Sequence, residues 1–301
     1  MTVIRADGPA VRPLRADGRT GRRVLIRWKG QEMGAGSSLS HAPGTRGEPA
    51  LEEAFDRLVT EGANRLERPW LPLAATGIVG GIDVGIGVLT CLVVDHETGQ
   101  PLLGALAFTV GFIALLLARS ELFTENFMVP VTARAAGRGS WFQLGRLWVV
   151  TLAANLAGGL AIAAMVMNSV PGLGPTAVSL GRYYATLGIS WHSLLLAILA
   201  GIVITLLTRM QHATDDLGPQ LVAAVSMSFV LVGTRLFHSV LDSVFMFAGL
   251  LAGDAPYTWA DWAGALGWSV LGNVIGGVGI VTATRLLRVS HRLAEERASR
   301  S

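Results

Sequence analysis

The chain has 301 residues, 51% of them apolar and only 15% charged, a balance that leaves a soluble protein of this length too little polar surface to cover its core. A net charge of +3 and a single cysteine, Cys91, speak against a nucleic-acid-binding face, a disulfide framework within the chain and a cysteine-based metal centre. These proportions define an integral membrane protein, and the 37 glycines, which lie mostly in apolar stretches, suit helices that pack backbone to backbone in lipid.

Residues 1–49 mix Arg, Gly, Ser and Pro without hydrophobic periodicity, which predicts a disordered basic tail. They lack the apolar core and cleavage site of a secretory signal, so no removal on export is expected. From Glu48 to Arg68, Leu51, Phe55, Leu58 and Leu66 recur at helical spacing, with Glu52, Glu53, Asp56, Arg57, Glu61 and Arg65 around the other side. That pattern predicts an amphipathic helix over 50–69, ended by Pro69 and either packed on the protein or lying in the membrane interface with Trp70 as anchor.

Six apolar segments succeed it within a membrane domain over 70–290, at about 71–94, 101–133, 143–167, 190–210, 219–252 and 263–287. Each can supply the roughly 20 helical residues a bilayer core requires. The second and fifth are too long for one simple span and carry charges in mid-course: Arg119, Glu121 and Glu125 in one, Arg235 and Asp242 in the other. An ionised group there costs about 2.5–3.5 kcal/mol. A break in each helix is the economical expectation, because non-helical backbone at membrane depth is tolerated where it lines a cavity. Arg134, Arg138 and Arg146 come after the second segment and Arg285, Arg288 and Arg292 after the sixth, whereas the connections over 95–100 and 254–261 are acidic. Both termini, including a tail over 291–301, are therefore expected on the cytoplasmic side of the inner membrane.

Two echoes organise the membrane domain. Leu122-Phe123-Thr124 interrupts the second segment and Leu236-Phe237-His238 the fifth, and each is succeeded by an Asn-x-x-Gly-Gly stretch, at Asn155 and at Asn273. Broken helix then glycine-rich helix, twice over, predicts an all-α fold in which segments one to three repeat as four to six. An odd number of spans per repeat makes the two copies inverted, with their broken helices meeting around a substrate path.

With these motifs the chain resembles the formate/nitrite transporter family. Ser120-Glu121-Leu122-Phe123-Thr124-Glu125-Asn126 is similar to that family's loop in the second span. Ala135-Ala136-Gly137-Arg138 through Trp141, Gln143 and Leu144 is similar to the family's stretch just after that loop. Phe237-His238-Ser239 resembles the central-histidine motif of the fifth span, and Gly272-Asn273-Val274-Ile275-Gly276-Gly277 that of the sixth. The resemblance implies an aquaporin-like protomer, a homopentamer, and one pore per subunit for small monovalent anions or their acids. It makes His238 the central pore histidine and Thr124 its partner from the opposite break. Leu122 and Phe123 would narrow the pore, Phe108 and Phe112 would line it, and Asn155 and Asn273 would sit near the path. Departures from the family pattern are Phe237 for a frequent glutamate, Asp242 and Thr205 for asparagines, and Arg119 and Arg235 for small residues.

A neutral histidine in a dry constriction can hydrogen-bond an anion's oxygen or lend it a proton. Passage as the neutral acid would remove most of the cost of stripping an ion's hydration. Arg119 with Glu121 and Arg235 with Asp242 are expected as buried pairs pinning the breaks; the sharper alternative is one arginine facing a vestibule and attracting anions. The expected partners are the bilayer and a small anion, with or without a proton. No metal, cofactor, enzyme activity or nucleic acid is expected. A channel for neutral solutes and a non-conducting scaffold are the other readings of the same fold.

Overall fold

The computed structural model describes residues 48–298. Apart from two residues of a first helical turn, the tail expected over 1–49 lies outside the described residues, as do residues 299–301. Helix α1 covers Glu48–Glu67, α2 Trp70–Thr98 and α3 Pro101–Ala118. After a break and a 3-10 turn at Phe123–Phe127, α4 runs over Val129–Ala135 and α5 over Trp141–Ser169. Then come α6 (Gly174–Thr186), α7 (Trp191–Gln211), α8 (Leu217–Gly233), a second break, and α9 (Ser239–Ala252). Helix α10 (Trp259–Val274) widens into π-type turns at Ile275–Thr282, and α11 (Ala283–Arg288) and α12 (Ser290–Ala298) finish the described chain.

Helices α2, α3, α5, α7 and the run from Trp259 to Arg288 are each long and apolar enough to cross a membrane; α8 and α9 are shorter and apolar. Local sequence sets where these helices begin. Ser140 with Gln143, Ser190 with Ser193 and Thr258 with Asp261 form capping boxes at the starts of α5, α7 and α10, which satisfy backbone donors that a first helical turn leaves free. A tryptophan comes directly after each cap, and Trp70 opens α2; all four side chains are exposed, as befits rings seated at a lipid–water boundary.

Glycines bring the long helices together. A Cβ on Gly81 would strike the Asn155 carbonyl and one on Gly158 the Ile78 carbonyl. The same pair of contacts recurs between α7 and α10, where Gly201 meets the Asn273 carbonyl and Gly276 the Ile198 carbonyl. Both crossings are therefore backbone on backbone, the close approach that small residues allow in lipid.

Helix α1 is covered by the protein along its apolar side. Phe55 and Val59 pack with Ala136 and Val289, Leu58 with Met128 and Val129, and Leu66 with Leu73, Ala133, Leu144 and Leu147. Its polar side is tied at the same end of the molecule by Arg57 to Asp215 (3.2 Å) and by Asp56 to Arg292 (2.9 Å). His212 Nε2 reaches Glu61 at 3.0 Å. Helix α6, which no apolar segment of the sequence announces, packs on α9 at the other end as α1 packs on α4. These ends are the α1 face and the α6 face.

Gly276→Ala places a methyl group on the Ile198 carbonyl. At about 1–3 kcal/mol for overpacking, the variant is expected to show a lower melting midpoint in detergent than the parent. Burial works to raise the Glu61 carboxyl, but the hydrogen bond from His212 and the charge of Arg65 outweigh it, holding it down from 4.5 to about 2. A carboxylate held below its unfolded value stabilises the docked helix above that value, and this contribution fades as pH falls from 4.5 towards 2. Hydrogen exchange of the α1 amides should accelerate over that window in the parent, and Glu61→Gln should reduce the pH dependence.

Candidate functional site

The two breaks are built alike. At the first, Arg119 takes left-handed backbone (φ 52°), its N–H donates to the Leu116 carbonyl at 3.3 Å, and the Ser120 N–H donates to the Leu115 carbonyl at 3.2 Å. At the second, Arg235 (φ 51°) donates to the Val232 carbonyl at 3.0 Å and Leu236 to the Leu231 carbonyl at 3.1 Å. This is the Schellman ending of a helix, with arginine where glycine is usual. Arg119 and Arg235 are the only non-glycine residues with positive φ among the described residues, and each carries a conformational cost of about 1–2 kcal/mol.

Beyond each turn an asparagine from a neighbouring helix holds the chain. Asn155 of α5 accepts from the Phe123 N–H (2.8 Å) and donates to the Gly77 (2.7 Å) and Glu121 (2.8 Å) carbonyls. Asn273 of α10 accepts from the Ser239 N–H (3.0 Å) and donates to the Ala197 and Phe237 carbonyls, both at 2.9 Å. Every side-chain polar atom of these two residues is thus bound to backbone, and both are fully buried. They hold the backbone of the two breaks in place. An acid caps each new helix: the Leu122 N–H donates to Glu125 (3.2 Å) and the His238 N–H to Asp242 (2.6 Å).

These contacts set the register between the breaks. Arg119 corresponds to Arg235, Glu121 to Phe237, Leu122 to His238 and Phe123 to Ser239. The sequence echo aligns Thr124 with His238 and is therefore displaced by two residues, because matching letters fall on non-matching backbone positions.

Thr124 and His238 do meet across the breaks, with Thr124 Oγ1 2.9 Å from His238 Nε2 and both side chains fully buried. The Leu241 N–H donates to His238 Nδ1 at 3.1 Å, which assigns the ring proton of the neutral imidazole to Nε2. His238 then donates to Thr124, whose own hydroxyl proton stays free to turn towards a solute. Phe108, Phe112, Leu122 and Phe123 are all buried and belong to one hydrophobic core. The Phe108 and Phe112 rings lie 5.6 Å apart, with Phe108 also against Gly87 of α2, and Phe123 meets Phe127 edge-on at 4.9 Å.

The charged groups are arranged otherwise than the sequence suggests. Glu121 pairs with Arg68 (2.8 Å) and Arg65 (3.6 Å) at the end of α1, so neither of the pairs Arg119–Glu121 and Arg235–Asp242 forms. The left-handed turns direct the arginines away from acids that lie just ahead in sequence. Arg119 is exposed, while Arg235 lies 5.1 Å from the centre of the Tyr183 ring. Arg65 and Arg68 look like members of a solvated helix face in sequence, and Tyr183 and Tyr184 sit on α6, so no periodicity marks any of the four. Tyr184 is buried and stacks between Phe237 (6.4 Å) and Phe245 (6.0 Å).

The family model described as formate/nitrite transporter matches residues 52–287. The chain belongs to this family. It is a multi-pass membrane transport protein and not an enzyme. Among similar curated proteins, the uncharacterized transporter YrhG of Bacillus subtilis is 28% identical over 75% of this chain and 88% of its own length. The formate channel BtFdhC of Bacillus thuringiensis is 24% identical over 76% and 92%. Two solved structures share the fold. An FNT family ion channel has a TM-score of 0.67 at 19% identity, covering 80% of this chain and 99% of the other. A pentameric formate channel with formate bound has a TM-score of 0.62 at 22% identity, covering 73% and 98%.

Asn155→Ala leaves one buried donor and two buried carbonyls without this partner, at about 1–3 kcal/mol for each group left unsatisfied. The variant is expected to melt well below the parent in detergent. Asn168→Ala, which removes only an exposed bond to the Ala164 carbonyl, should change stability by less than about 0.5 kcal/mol.

Proposed function

We propose that the protein is a channel for small monovalent anions such as formate and nitrite, carried as the ion or, with a proton, as the neutral acid. The Thr124–His238 contact is its midpoint step. The observation that carries this reading is the pairing of two hydrogen-bonding side chains from opposite breaks at a fully buried point among apolar groups. A solute entering there loses water that Leu122, Phe123, Phe108 and Phe112 cannot replace; the free Thr124 hydroxyl is the donor that can, and the His238 Nε2–H joins it when it turns from Thr124 to the solute. Proton exchange with the imidazole would let an acid cross the apolar stretch uncharged.

The assembly in this reading is a homopentamer in the inner membrane with both termini cytoplasmic, each subunit holding one pore and six crossings, α8 and α9 together making one of them. The pentamer is supported by the pentameric formate channel that shares the fold. Orientation is supported by Arg146 and Arg292, which bond to α1, and by Arg138, which pairs with Glu296 of α12, the arrangement expected of a cytoplasmic face.

Flux of formate and nitrite into proteoliposomes tests the midpoint step. Thr124→Val and His238→Asn are each expected to reduce flux by about tenfold or more, the order of one charge-assisted hydrogen bond to the passing ion. Parent-like flux for both His238→Asn and His238→Ala across a range of pH would remove the histidine from the mechanism.

A further inference from the structure

On the α6 face a cavity of about 30 Å³ lies between the end of α2, the start of α3, and helices α6, α8 and α9; Cys91, Asp95, Tyr184, Val232, Arg235 and Phe245 are among its walls. We infer that this cavity is an anion-binding station, with Arg235 as its binding residue, that receives a carboxylate or nitrite of about three heavy atoms before it reaches the midpoint. The inference rests on the proposed anion channel and names a second station on the same path.

Three observations point to it. Arg235 has neither an ion pair nor a side-chain hydrogen bond among the described residues; Tyr183 covers one face of the guanidinium at 5.1 Å. Its planar fork of donors matches a carboxylate or nitrite. A cavity needs roughly 10–15 Å³ to hold one water, so 30 Å³ suits a solute of two or three heavy atoms. Finally, Tyr184, a buried wall of the cavity, stacks on Phe237, the residue before His238. The wall of the station is thus in ring contact with the break that carries His238.

Asp95 gives the station its second property. Its carboxylate shares the cavity without pairing with Arg235, so it opposes a bound anion and keeps the affinity low enough for release, as conduction requires.

The left-handed backbone at Arg235 makes a clean test available, because Arg235→Gly removes the side chain while suiting the turn better. In full-length protein in proteoliposomes, Arg235→Gly should raise the half-saturating formate and nitrite concentrations about tenfold or more, with a melting midpoint equal to or above the parent's. Arg235→Lys, which keeps the charge but loses the fork, should give a half-saturation between that of the parent and that of Arg235→Gly. Arg119→Gly repeats the backbone change at a turn without this cavity and should leave half-saturation unchanged. In detergent, millimolar nitrite should raise the melting midpoint of the parent and Arg235→Lys but not that of Arg235→Gly.

Unchanged half-saturation in Arg235→Gly, or a fall in maximal flux and stability alone, would overturn the station while leaving the channel in place. Nitrite stabilisation that depends on Arg235 in a parent that moves no anion would leave the station and sink the channel. The absence of both flux and nitrite stabilisation would sink both.

Discussion

A helix interrupted inside a membrane leaves backbone donors and acceptors with no water to take them. This constraint shapes the centre of the molecule, and two asparagines answer it. Asn155 and Asn273 each accept from the first residue of a new helix and donate to two carbonyls, one within the break and one on the neighbouring long helix. The glycines beside them meet the same need. An asparagine can reach both strands of the turn only if its own helix lies against the next one, and Gly81, Gly158, Gly201 and Gly276 permit that approach. The Asn-x-x-Gly-Gly stretches of the sequence are therefore staple and seat in one motif.

Much of this was legible in the residues. Apolar length located the long helices to within a few positions, and charges in mid-segment located both breaks. The contact of Thr124 with His238, expected from resemblance, is present at 2.9 Å. Other features carried no readable signal. The echo of Leu-Phe was misleading by two positions, because pairing across the breaks is set by the left-handed arginines and not by the similar side chains. Helix α6 escaped notice because Gly174–Thr186 is neither long nor apolar enough to stand out, and its tyrosines matter only through Arg235 and Phe237 of the α8–α9 connection and Phe245 of α9.

The ion pairs show why sequence proximity is a poor guide at a turn. Glu121 is two residues past Arg119, yet its partners are Arg65 and Arg68, more than fifty positions earlier. Helix α1 is fastened to the first break by charge, whereas the second break has Phe237 in the corresponding place and is closed by stacked rings. Two halves with the same backbone construction thus differ in chemistry on their two sides, polar towards α1 and aromatic towards α6.

The paired staples also bear on time. Swinging either break open as a hinge would strip three hydrogen bonds from an asparagine in a setting that offers no replacement, so the backbone there is stiff. The inexpensive motions are rotations of Thr124, Leu122, Phe123 and Phe237 about their side-chain bonds, which belong to the picosecond-to-nanosecond range in loosely held groups and slow as packing tightens. In the proposed channel, a path gated by rotamers on such a frame has no large rearrangement to complete for each solute, and its throughput is governed by how often a few side chains turn aside.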